Sequence, residues 1–186
     1  MIFFKRLREK SGIILCQREI CLMLEMYLKK LFFIGDADAH SIEKHLTEQY
    51  PNEACGVMIS DICGQDSVKR VHFFDNIQDR LHEWNRERYP RTAKDAYNIE
   101  AKEWLNLTAD AEKSNERLLC LFHSHIDCDA YFSKEDELQA APWGEPNYPE
   151  LLHLVISVHA RKITAFQVFK WDKEKNMFVS IHSFGV

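Results

Sequence analysis

A run of large apolar residues, Leu118-Leu119-Cys120-Leu121-Phe122, leads into His123-Ser124-His125 and, after seven further residues, into Ser133-Lys134-Glu135-Asp136. The run has the length and composition of a buried strand. Alternate side chains of an extended chain point the same way, so the rings of His123 and His125 can face one ion. Ser133 is a good helix cap and Asp136 falls three residues later, so Ser133–Ala141 reads as a helix opened by a capping box with Asp in place of Glu. A fold that accommodates this stretch must bring the end of a buried strand and the first turn of a helix together. Two nitrogens and one oxygen then converge, the ligand count of a catalytic zinc with a fourth position left for water. A histidine pair of this kind is, by itself, more often structural than metal-binding. The Ser-x-x-Asp at a helix start is what raises the expectation of one zinc per chain.

The rest of the chain is expected to form one domain. Its 186 residues can bury a real core. A helix is expected from about Asp38 to Gln49, with Asp36 and Asp38 as capping carboxylates, Ile42, Leu46 and Tyr50 at helical spacing, and Pro51 as the stop. Cys55–Ser60 and Val68–Phe74 read as strands joined by a turn over 61–66 around Gly64. The polar stretch from Asn76 to Ala96 reads as a long connection, a kind of loop that tends to be functional. Ile99–Ser114 reads as a helix with Leu105 and the alanines on one side. Leu151–Val158, Ile163–Trp171 and Met177–Phe184 read as strands of an antiparallel meander. Helices mixed with such a sheet make an α/β (α+β) domain.

Residues 1–35 stand apart as an N-terminal extension whose order the sequence does not decide, ahead of a domain over 36–186. The aliphatic stretch Ile13–Ile34 is interrupted by Arg18, Glu19, Glu25, Lys29 and Lys30. A spanning helix needs about 20 largely uncharged residues, so no membrane segment is expected. No small-residue cleavage site follows a clean apolar region, so no signal peptide is expected either. The net charge of -5 and scattered Lys and Arg argue against nucleic acid as a partner. Six cysteines, at 16, 21, 55, 63, 120 and 128, form no CxxC pair. Reduced thiols and a cytoplasmic location follow as expectations.

Zinc-assisted hydrolysis needs a group that takes a proton from water and passes it to the leaving group. Glu53, in Pro51-Asn52-Glu53-Ala54-Cys55-Gly56, stands just before a buried strand; taken alone it reads as an ordinary exposed carboxylate. Ser133 has two available roles, helix cap or donor to an oxyanion. Cys128, Asp127 and Asp129 lie between the ligands and read as loop residues. His72, His82, His153, His159 and His182 read as core or surface residues. Trp143 and Tyr148 are as readily one wall of a substrate channel as ordinary packing, and Arg80, Arg86, Arg88 and Arg91 read as a solvated loop.

A glutamate followed by His-Ser-His, seven residues and Ser-x-x-Asp resembles the signature of the JAMM (MPN-plus) metalloproteases. The likeness extends to Asn52–Ser60, Asn76–Asp79, Tyr89–Ala93, Ala96-Tyr97 and Ala130–Asp136, and spans roughly 38–184. It is similar above all to bacterial members. The resemblance implies a mixed sheet flanked by helices, with a cytidine-deaminase-like architecture. It implies zinc ligands at His123, His125 and Asp136, a catalytic acid/base at Glu53 and an oxyanion-stabilising Ser133. It also implies hydrolysis of a peptide or isopeptide bond at the Gly-Gly-type C-terminus of a ubiquitin-like or sulfur-carrier protein. Ile126 and Phe132 stand where many relatives carry proline. Two other functions stay open: a module that binds a ubiquitin-like protein without turnover, and a phage-tail-associated peptidase of the same family. A zinc deaminase needs a PCxxC element, which the sequence lacks. The sequence is silent on oligomeric state.

Overall fold

The computed structural model describes residues 17–62 and 67–185, with side chains from Leu22 onward apart from those gaps. The turn expected around Gly64, together with Cys16, Cys63 and the side chain of Cys21, lies outside the described residues. The strands are β1 (Cys55–Asp61), β2 (Val68–Phe74), β3 (Glu116–Ile126), β4 (Leu152–His159), β5 (Lys162–Asp172) and β6 (Met177–Phe184). The helices are α1 (Gln17–Phe32), α2 (Asp36–Glu48), α3 (Gln78–Trp84), α4 (Ala101–Lys113) and α5 (Lys134–Ala140). This is a mixed α+β architecture, as expected.

The six strands form one sheet in the order β2-β1-β3-β4-β5-β6. Every neighbouring pair is antiparallel except β3 and β4, which run parallel, with His123 opposite Val155 and His125 opposite Ser157. Parallel neighbours cannot be joined by a tight hairpin, so the chain leaving β3 must cross over before β4 begins. That crossover carries α5, and it brings Ser133 and Asp136 to the end of β3.

Alternation along the central strands supplies a core on each face. On one face, Met58 of β1, Phe122 of β3, Leu154 and Ile156 of β4 and Phe166 and Val168 of β5 pack with Leu24, Leu28 and Phe32 of α1 and Ile42 and Leu46 of α2. On the other, Val57, Ile59 and Leu121 pack with Leu107 of α4 and Tyr97, while Val155, Phe169, Trp171 and Phe178 form a neighbouring aromatic cluster with Phe132. The part of the N-terminal extension from Gln17 on is thus a helix whose apolar face belongs to the main core. Gly56 of β1 sits beneath the Phe122 ring, and a β-carbon there would stand 2.7 Å from the His72 carbonyl oxygen.

Four local expectations change. The stretch 76–96 contains α3, which lacks apolar periodicity because its buried residue is Gln78, held by polar contacts. In α4 the buried residues are Leu107 and Ala111, while Leu105 is exposed; the apolar stripe is rotated because it must meet β1 and β3. The N-cap of α2 is Gly35, with no side-chain cap, and Asp36 instead pairs with Lys29 of α1. Finally, β3 runs past the apolar stretch Leu118–Phe122 to Ile126, so both histidines stand within the strand.

Candidate metal centre and cleft

Each member of the candidate site is held by backbone that the fold fixes. His123 and His125 are next-but-one neighbours on β3, both buried, with ring centroids 5.1 Å apart. Ser124 between them points to the other side, where its Oγ accepts from the Ala54 amide at 2.8 Å and its own amide donates to the Ala54 carbonyl. Asp136 arrives from the first turn of α5. The capping box expected from sequence is complete. The Ser133 Oγ accepts from the Asp136 amide at 3.1 Å, and Asp136 Oδ2 accepts from the Ser133 amide at 2.7 Å.

The donor set fits a metal ion. One nitrogen of each histidine and one oxygen of Asp136 all lie within 4.8 Å of one another, and all three residues are buried. His123 Nε2 lies 3.2 Å from Asp136 Oδ1, yet neither ring nitrogen of His123 makes a hydrogen bond. Buried polar atoms are rarely left without a partner unless something else completes them. His125 Nδ1 donates to the Asp129 carbonyl at 3.0 Å, which fixes the tautomer and leaves the Nε2 lone pair facing Asp136. The His123 ring lies flat against Tyr97, with centroids 4.6 Å apart. A second grouping, Glu25, His40 and Glu43, is solvent-facing and shares Glu25 with Lys29, as an ordinary surface charge cluster does.

The electrostatics separate the two acids. Burial opposes ionisation of Asp136, but the adjacent His123 and His125 imidazoles and the hydrogen bond from the Ser133 amide outweigh it, holding its carboxyl well below the usual range. For Glu53 burial dominates, and it pushes the carboxyl up to about 8 against the opposing influence of His125. The carboxylate that the sequence alone leaves exposed is 5% exposed. The reason is the 76–98 excursion. The Glu53 amide donates to the Ala93 carbonyl at 2.7 Å, and Asn76 Nδ2 donates to the Glu53 carbonyl at 2.9 Å, so the excursion folds over the residue.

Glu53, His125, Ser133 and Asp136 line one cleft. Its first wall is Arg91, Lys94, Asp95, Ala96 and Tyr97; its second is Tyr131, Glu135 and Gln139. Gln139 Nε2 donates to the Tyr97 carbonyl at 3.0 Å and Arg91 stands 3.4 Å from Glu135, tying the walls together. Arg91, which sequence reading places in a solvated loop, is therefore part of the cleft. Trp143 and Tyr148 are absent from its lining: Trp143 is 89% exposed and Tyr148 packs edge-on against Trp104. Cys128 is exposed at the rim, and His153 is buried between Phe132 and Phe178.

The family model describing prokaryotic homologs of the JAB domain matches residues 37–172. The chain is a member of this prokaryotic JAB family. The matched span covers α2 through β5, so every residue of the candidate site falls within the JAB domain. No curated protein matches the chain. The JAB fold recurs in solved structures. The chain is similar to a protein from Desulfitobacterium hafniense whose solution structure is 22% identical with a TM-score of 0.53, covering 79% of this chain and 87% of that one. It is also similar to a protein from Salinibacter ruber, 19% identical with a TM-score of 0.51, covering 80% of this chain and 88% of the other. At these identities the likeness is one of fold alone.

Proposed function

We propose that this JAB-domain protein is a zinc-dependent metallopeptidase that hydrolyses an amide bond at the Gly-Gly-type C-terminus of a ubiquitin-like or sulfur-carrier protein in the cytoplasm. The observation that carries the reading is the pairing of a buried His123-His125-Asp136 donor set with a second buried carboxylate, Glu53, in the same cleft. A structural site has no use for the second acid, whose burial costs free energy, and strongly shifted buried acids in clefts cluster at sites of chemistry.

His123, His125 and Asp136 would hold the ion. Zinc held there supplies Lewis acidity, which polarises the scissile carbonyl, acidifies a water molecule and draws the Glu53 pKa downward. Glu53 takes the proton of the attacking water and delivers it to the leaving amine. Its carboxyl, pushed up to about 8 by burial, lies close enough to neutrality to do both once a cation offsets that burial. In the cap Ser133 Oγ only accepts, so its own hydrogen stays available to donate to the oxyanion. Contacts between the walls limit the width of the cleft, which favours an extended tail without side chains.

Metal analysis and cleavage test this reading together. His123→Ala and Asp136→Ala are expected to hold no zinc and to cleave nothing, while Glu53→Gln keeps one zinc per chain and loses turnover at least ~10²-fold. A wild-type protein that binds a Gly-Gly-ended carrier, holds no zinc and cleaves nothing would make it a binding module instead.

A further inference from the structure

Glu53 lies on neither a helix nor a strand; it stands in the irregular segment immediately before β1. Its neighbour Ala54 is anchored to β3 through Ser124. Both backbone polar groups of Glu53 itself are committed to the 76–98 excursion, through Ala93 and Asn76. The chain next to Glu53 is thus tied to the ligand strand, while Glu53's own backbone rests on the excursion, and something must hold that excursion in register with β1 and β3.

The structure assigns that task to Asn76, as a positioning residue for Glu53. Its carboxamide uses all its capacity at this junction. Nδ2 donates to the Glu53 carbonyl at 2.9 Å and to the Ala96 carbonyl at 3.1 Å. Oδ1 accepts from the Gln78 amide at 3.0 Å and the Asn98 amide at 3.1 Å. One side chain thus joins Glu53, the start of α3 and the segment Ala96 to Asn98 that carries part of the cleft wall. Neighbouring side chains stiffen the same excursion. Asp79 Oδ1 accepts from the Ala93 amide at 2.7 Å, Gln78 Nε2 donates to the Arg91 carbonyl at 2.7 Å, and Asn98 Nδ2 donates to Gln78 Oε1 at 2.6 Å. None of the ligands His123, His125 and Asp136 hydrogen-bonds to this network, and His123 meets it only through the Tyr97 ring, so its loss is expected to displace Glu53 and to spare the ligand set. A displacement of about 1 Å at a reacting group costs on the order of 10²-fold in rate.

The assignment rests on Glu53 as the proton carrier, and two variants separate the two claims. Asn76→Ala removes all four hydrogen bonds. Asn76→Asp keeps oxygen acceptors for the Gln78 and Asn98 amides but loses the donors to Glu53 and Ala96. In the zinc-loaded protein acting on a Gly-Gly-ended carrier fusion, both variants are expected to retain one zinc per chain. Both should keep KM within about threefold and lose kcat by roughly 10- to 100-fold. Hydrogen exchange read in the same samples should accelerate at the Glu53 amide, with the β3 and β4 amides unchanged. Wild-type kcat and unaltered exchange at Glu53 in either variant would overturn the assignment, as would loss of zinc or faster exchange across the whole sheet. If wild type and Glu53→Gln cleave equally, the functional reading fails instead, and the exchange arm still decides whether Asn76 holds Glu53.

Discussion

Ser133 shows how one residue serves geometry and chemistry together. Its Oγ closes the capping box with Asp136, and that box is what aims Asp136 at the histidines. Ser133→Ala is expected to cost about 1 kcal/mol of stability through the lost cap. It should also lower kcat by ~10²-fold through the lost oxyanion donor. Thermal unfolding and steady-state rates read the two separately, and a wild-type rate would confine Ser133 to capping. Glu53 carries a different signature. Its folded-state carboxyl lies above its unfolded value of 4.5, at about 8, so the folded protein keeps a proton that the unfolded chain releases. The stability this gives is fully present below pH 4.5 and is lost as pH rises from there toward 8. In metal-free protein the loss amounts to roughly 3 kcal/mol at pH 7. Urea midpoints taken with chelator at pH 5 and pH 8 should fall in the wild type, and most of that fall should vanish in Glu53→Gln.

Among the elements, β1 and β3 carry the tightest constraint. The Phe122 ring lies over Gly56, and the backbone carbonyl of His72 closes the space from the β2 side. Phe122 is fully buried and the carbonyl is part of the ladder, so neither can yield freely. Gly56→Ala is expected to destabilise by ~1–3 kcal/mol, measured by urea unfolding, with the metal ligands intact. Strands whose apolar residues alternate between two cores, and α5 with its capping box, are legible in the sequence because their local pattern agrees with their tertiary role. Element α3 is not, because Gln78, Asn76 and Asn98 stabilise that segment through carboxamide contacts that leave no hydrophobic period. The exposed side of α4 is misjudged for a related reason: Ala and Leu occur on more than one face, and only the sheet selects Leu107 and Ala111. The His123, His125 and Asp136 grouping can be foreseen from spacing alone, since strand alternation and a helix cap fix it. The burial of Glu53 cannot, because it depends on a segment more than twenty residues further along the chain folding back over it.

At the scale of the whole molecule, the parallel β3–β4 pair organises the site. The crossover it requires delivers α5 over the end of β3, and the 76–98 excursion closes from the opposite side with Glu53 beneath it. Helices α1 and α2 cover the far face of the sheet and leave the cleft face to chemistry; no described helix is long and apolar enough to cross a membrane. This division leaves the proton carrier and the ion's ligands on neighbouring supports that are joined through the Ala54–Ser124 hydrogen bonds and face each other in the cleft. The most direct test of that account is cleavage, by zinc-reconstituted wild type and Glu53→Gln, of a ubiquitin-like carrier fused through its Gly-Gly C-terminus to a reporter. The account predicts one zinc per chain in both proteins and release of the reporter by the wild type alone. Equal cleavage by both proteins, or a wild type that holds no zinc and releases nothing, would contradict it.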